Sequence, residues 1–188
     1  SDLGGSKTLS KGNGLTEEEA TLHGSRVHKL LELLPKYASE VWQEHSLKML
    51  KANRLFDGSP EVTNAIEEAL SVLNDPKFSY IFDENVLSEV PFSAHLSNLK
   101  NQKIYGIIDR LIIGSNSVQI IDFKTNSTVP KTVDNIPLGI LRQMAAYRLA
   151  IKEIFPDKEV GCYILWTAIR KLDFIKKDLL DYNNLDSS

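Results

Sequence analysis

Cysteine is nearly absent from this sequence. The one thiol among 188 residues, Cys162, excludes an intrachain disulfide and cannot supply a four-cysteine zinc or iron–sulfur site. A reducing, cytoplasmic setting is therefore expected. Long hydrophobic runs are missing too: no apolar stretch approaches the roughly 20 residues of a bilayer span, and none reads as a signal peptide. There is no basic excess. Lys and Arg number 22 against 25 Asp and Glu, a formal net charge of −3, so the overall field does not draw in nucleic acid. Any nucleic-acid function must rest on local charge, or on a partner that delivers the strand.

What is present is ordinary for a globular chain: 42% hydrophobic and 25% charged residues, enough for one domain with a sizeable core. Residues 1–14, "SDLGGSKTLSKGNG", are rich in Gly and Ser without apolar periodicity and read as a linker; 15–188 read as a single domain. The "GGSKT" inside the linker fails as a phosphate-binding loop, because Ser6 separates Gly5 from Lys7 and no apolar strand precedes it.

Thr16 with Glu19 three residues on forms a capping box that opens a helix running to Pro35. A second helical stretch covers roughly 38–55. A third starts at Ser59-Pro60, cap then first-turn proline, and ends near Asn74. The pattern then changes to strands: "VLSEVPFSAHL", "KIYGIIDRLIIG" and "VQIIDFKT". A helix, "LGILRQMAAYRLAIKEIF", runs to Pro156, "EVGCYILWTA" reads as a buried strand, and a charged tail, "KKDLLDYNN", reads as a solvated helix or frayed end. This order predicts an α/β domain with a mixed sheet flanked by helices and an N-terminal helical portion.

The second and third strands meet at "GSNS", 114–117. A two-residue or a four-residue loop gives one and the same register, with Asp109 facing Asp122 and Ile107 facing Lys124; a three-residue bulged loop would break it. Opposed Cβ atoms lie about 5 Å apart, where like charges destabilise. Such carboxylates can protonate, find a basic partner (Arg110 or Lys103 are at hand) or bind a cation. Oxygen-rich sites of this kind suit Mg²⁺ or Mn²⁺. Alternation also gives Asp122 and Lys124 one face of their strand and Phe123 the other.

"GIIDRLII" followed by "IIDFKT" resembles the core of the PD-(D/E)xK nuclease superfamily. Three further stretches fit its RecB-type branch: "HGSRVHKLLELLP" with Gly24 and His28, "SEVPF" with Glu89, and "QMAAY" with Gln143 and Tyr147. The elements stand in the family's order over roughly 15–167, and within the branch they look most like the C-terminal nuclease domain of AddA-type helicase–nucleases. The resemblance implies a restriction-endonuclease-like fold and a metal-dependent deoxyribonuclease, exonuclease by preference, acting in bacterial double-strand-break repair and recombination. Mg²⁺ or Mn²⁺ is the implied cofactor. His28, Asp109, Asp122 and the carbonyl of Phe123 are the implied metal ligands. Lys124 would handle the attacking water, Glu89 would be an accessory acid, and Gln143 and Tyr147 would line the site and hold the DNA. The implied partners are a single strand delivered by a helicase and an AddB-like subunit. AddB-type domains carry cluster cysteines that this sequence lacks, so no iron–sulfur cluster is implied. Two other readings remain open: a stand-alone exonuclease of the branch, and a nuclease fold that binds DNA without cutting.

Outside these motifs, His23 is expected to be exposed, His45 and His95 have no supporting context, and Glu32, one turn past His28, is a candidate partner behind the site.

Overall fold

The computed structural model describes residues 16–96 and 102–185. The expected linker lies outside the described residues, as does the side chain of His95. Helix α1 (Glu17–Leu33) opens with the predicted box: the Thr16 hydroxyl accepts from the Glu19 N–H at 3.2 Å, and the Glu19 carboxylate accepts from the Thr16 N–H at 2.7 Å. Three acids in its first turn complement the helix dipole. A 3₁₀ turn containing Pro35 ends it. Helix α2 (Trp42–Ala52) and helix α3 (Glu61–Leu73) follow. Ser59 does not cap α3 as expected; its hydroxyl donates to Asp57 instead, at 2.7 Å. Buried Arg26 ties this connection to α1, donating to the Leu55 carbonyl and pairing with Asp57 at 2.7 Å.

Strands β1 (Leu87–Leu96), β2 (Gln102–Ile113) and β3 (Ser117–Lys124) form an antiparallel series. Helix α4 (Leu138–Ile154) then crosses over to β4 (Glu159–Trp166), which runs parallel to β3. The five-stranded sheet keeps sequence order. Its last member, β5 (Lys171–Ile175), antiparallel to β4, is a strand that no sequence pattern announced between "EVGCYILWTA" and the charged tail. The disguise is Asp173. This buried acid accepts from the Trp166 indole at 2.8 Å and pairs with Lys171 at 3.0 Å, so a paired strand reads as charged sequence. Helix α5 (Lys177–Leu185) is not simply solvated either, since Leu180 is buried on the α4 side.

Two cores sandwich the sheet. The α1–α3 layer packs on Ile121, Phe123 and Leu165. Helix α4 packs on Val118, Ile120, Cys162 and Ile164. In β3, even-numbered residues therefore face α4 and odd-numbered ones face α1. This is the predicted mixed sheet with flanking helices and an N-terminal helical part. Cys162 is buried at the α4 face, and burial pushes its thiol up to about 12, which leaves it inert.

Candidate active site

The Gly114 N–H donates to the Ser117 carbonyl at 2.8 Å, closing a two-residue loop. The resulting register pairs Ile113 with Val118 and Arg110 with Ile121. One step further, the same register would set Asp109 opposite Asp122, but the paired residues stop at Arg110 and Ile121. There the backbone ladder ends. The Phe123 N–H turns to the Asp109 carboxylate, at 2.6 Å, in place of a carbonyl. A strand end splayed in this way leaves both acids buried yet open to the groups around them.

Helix α1 brings His28 to the same point, with Nδ1 3.1 Å from Asp109 Oδ1. Gly24, one turn earlier, permits the approach: a Cβ there would lie 3.0 Å from the Thr125 hydroxyl at the end of β3. Strand β1 supplies Glu89, whose backbone φ of 50° is left-handed within an extended strand. Ligand atoms of His28, Glu89 and Asp109 all lie within 4.8 Å of one another. Asp122 is turned from that trio into a buried ion pair with Lys124. The Lys124 ammonium also donates to Gln143 Oε1 at 3.0 Å. Gln143 Nε2 donates to the Tyr147 hydroxyl at 2.8 Å, and that hydroxyl donates to the Ile107 carbonyl at 2.9 Å. The buried Tyr147 hydroxyl is thus spent on internal bonds, and its reach into the site runs through Gln143 and Lys124.

The charges explain one another. Burial favours a neutral His28, but the Asp109 charge and hydrogen bond outweigh it and raise the imidazole pKa. Burial would raise Asp109, yet His28 and the Phe123 N–H bring it below the usual carboxylate range. Asp122 goes up, because burial and the Asp109 charge exceed what Lys124 returns. Glu89 goes up through partial burial and then through its acidic neighbours Asp109 and Glu32. Burial and the nearby acids keep Tyr147 firmly protonated, as its donated bond requires. Arg110 acts on Asp109, Glu89 and Glu32 through space rather than by a direct ion pair: its guanidinium donates to the Leu31 carbonyl at 2.6 Å and lies over Phe82. The basic partners are His28 and Lys124. Glu32 pairs with Lys29 and acts on Glu89 only by its charge.

A second cluster braces the site from behind. The Lys124 carbonyl lies 3.1 Å from the Thr167 hydroxyl, which also meets the Glu68 carboxylate of α3. His23 Nε2 lies 2.8 Å from the other oxygen of Glu68. His23 is therefore paired and largely buried, contrary to the expected exposure. Nothing in the sequence marks Glu68 and Thr167, 99 residues apart, as neighbours. Gly106 did carry a signal, a glycine inside a strand: a Cβ there would lie 2.6 Å from the Phe92 ring and 3.0 Å from that of Tyr147.

An imidazole nitrogen and two convergent carboxylates, with the carboxylate of Asp122 close by on Lys124, are a hard, anionic donor set. It fits a divalent cation that retains waters. No curated protein matches the chain at significant similarity. A solved structure titled "Crystal structure of SSO0001" is similar at 15% identity and a TM-score of 0.40, over 89% of this chain and 86% of that one. A family profile matches residues 8–175, nearly the whole chain and all the residues just described: the chain belongs to the PD-(D/E)XK nuclease superfamily.

Proposed function

We propose that this chain is a divalent-metal-dependent deoxyribonuclease that hydrolyses phosphodiester bonds in DNA, exonucleolytic by preference. The observation that carries the reading is the meeting of His28, Glu89 and Asp109 beside a buried Asp122–Lys124 pair. We assign His28, Asp109, Asp122 and the Phe123 carbonyl as ligands of Mg²⁺ or Mn²⁺, with Glu89 as an adjoining acid. Bound there, the ion would acidify a water and draw charge off the phosphoryl oxygens.

The protein's own groups do the positioning. Lys124 brings a cation to a dry site, where its ammonium can hydrogen-bond the attacking water and stabilise developing negative charge. Gln143 holds that ammonium, Tyr147 holds Gln143, and the Ile107 carbonyl holds Tyr147. Asp109 has two tasks, binding His28 and fixing the Phe123 N–H. Tyr147 is accordingly assigned to positioning, and Gln143 to the site wall beside the strand.

The biological setting we propose is an AddAB-type helicase–nuclease in double-strand-break repair, with the strand delivered by the motor and an AddB-like partner. The ordered motifs from Gly24 to Tyr147 support it, and so does charge. At −3 overall, with several carboxylates at the site, the chain has little electrostatic attraction for DNA, and tethering would raise the local strand concentration. The direct test is incubation with labelled single-stranded DNA and Mg²⁺ or Mn²⁺ against an EDTA control. Absence of metal-dependent cleavage at every metal concentration would reject the nuclease reading. Copurification with a helicase, and faster cutting with ATP, would test the setting separately.

A further inference from the structure

Beyond Arg110, β2 pairs with β1 alone among the described residues. Residues 90–96 and 102–108 thus form a two-stranded arm that leaves the sheet at the reactive cluster. One face of the arm is committed to the core: Val90, Phe92 and Ile108 pack on the α4 side, and the Phe92 ring meets Tyr147 edge-on at 5.1 Å. Alternation puts Pro91, Ser93, Lys103, Tyr105 and Ile107 on the other face, and all five are exposed. Tyr105 is 47% and Ile107 52% exposed, with Ser93 and Pro91 as their cross-strand partners. The Lys103 ammonium lies 4.8 Å from the centre of the Tyr105 ring. The row starts two residues, about 7 Å of strand, from Asp109 and leads outward to a cation. Residues 90–108 contain no Asp or Glu but do contain Lys100 and Lys103. In an acidic protein, a phosphate chain on the described residues of this arm meets the Lys103 cation and no carboxylate of the arm's own.

We propose that this face is the platform for single-stranded nucleic acid next to the bond being cut: a base stacks on Tyr105, the neighbouring nucleotide lies against Ile107, and Lys103 meets a phosphate. The inference rests on the nuclease reading and specifies its substrate class. Accessible base faces are what a single strand offers and a duplex withholds, and an aromatic ring beside a cation matches a base next to its phosphate. Ser93 and Lys103 border the row with polar groups, whereas a protein-docking patch is apolar at its centre and over a larger area.

The test uses the full chain in EDTA, where binding is read without cleavage, with a labelled oligothymidylate of about 20 nucleotides (spanning the site sizes of single-strand binders) and a duplex of equal length. Tyr105→Ala should weaken single-strand binding by roughly 5- to 100-fold, Tyr105→Trp should retain it, and duplex binding should change less than about twofold, since paired bases do not stack on the ring. Lys103→Gln should flatten the slope of log K against log salt by about 0.7. With Mn²⁺, the cleavage defect of Tyr105→Ala should lie mainly in KM. Should Tyr105→Ala bind the strand like wild type while wild type cleaves, the platform is wrong and the nuclease reading stands. Wild type that never cleaves, with the Tyr105 effect on binding intact, rejects the nuclease reading and leaves the platform standing. Equal losses on strand and duplex overturn the platform, as does a changed oligomeric state with DNA binding intact.

Discussion

Glu89 carries two costs in the metal-free protein, and both can be removed by substitution. Its φ of 50° is left-handed, a geometry that costs a residue with a Cβ about 1–2 kcal/mol. Glycine relieves this but gives back about 0.5–1 kcal/mol through the freedom of its unfolded chain. Glu89→Gly should therefore stabilise by about 0–1.5 kcal/mol from backbone alone. The second cost is charge. Burial, Asp109 and Glu32 raise the Glu89 pKa, so the folded state favours the protonated form more than the unfolded state does. Its carboxylate destabilises the fold above that raised pKa, and the cost disappears below the ordinary 4.5. Glu89→Gln should thus stabilise at neutral pH, with a gain that vanishes on acidification, whereas the backbone share of Glu89→Gly should persist. For a chain of this size 1 kcal/mol moves Tm by about 2–4 °C. The expected rise for Glu89→Gly in EDTA is then about 0–6 °C from strain relief. Saturating Mn²⁺ should invert the order, because wild type gains about 2.7 kcal/mol at a hundredfold excess over Kd and a variant lacking this acid gains less. The assay is a pair of thermal melts, with EDTA and with Mn²⁺. If Glu89→Gly melts below wild type in EDTA, the residue does structural work there and the strained-site argument fails.

Lys124→Met should lower cleavage by about 100-fold or more while calorimetry still detects metal binding; wild-type rates would remove Lys124 from the chemistry. Methionine is chosen over alanine because Lys124 and Asp122 are both buried, so a cavity would add to the unpaired acid. Gly106→Ala should destabilise by about 1–3 kcal/mol and slow cleavage too, since the new methyl meets Phe92 and Tyr147; a neutral melt would show that the arm yields freely. The raised pKa of His28 means that its proton competes with metal at a higher pH than for a free imidazole. Metal affinity should fall with acidification, and titrations in buffers of different ionisation enthalpy should register proton release. A pH-independent affinity would take His28 out of the ligand set.

Local chemistry wrote much of this protein legibly. The Thr16–Glu19 box, the alternation around Asp122 and Lys124, and the loop at Ser115-Asn116 act over a few residues. A helix start, a strand's two faces and the register that pairs Arg110 with Ile121, one step short of Asp109 and Asp122, are therefore readable without any tertiary contact. The i,i+4 spacing of Gln143 and Tyr147 likewise sets them on one helix face, where they meet. Tertiary structure decided which charges pair. Asp122 turns to Lys124 while Asp109 turns to His28 and the Phe123 N–H, a division that depends on where the β2–β3 ladder ends and how closely α1 approaches at Gly24. It also hid a strand behind Asp173, an acid that the Trp166 indole and the Lys171 ammonium make compatible with burial, and it joined His23, Glu68 and Thr167 from three separate elements behind Lys124. Periodicity reports which way a side chain faces. It carries no information about which partner, dozens of residues away, will be there to neutralise it, because desolvation and pairing exist only once the layers have closed.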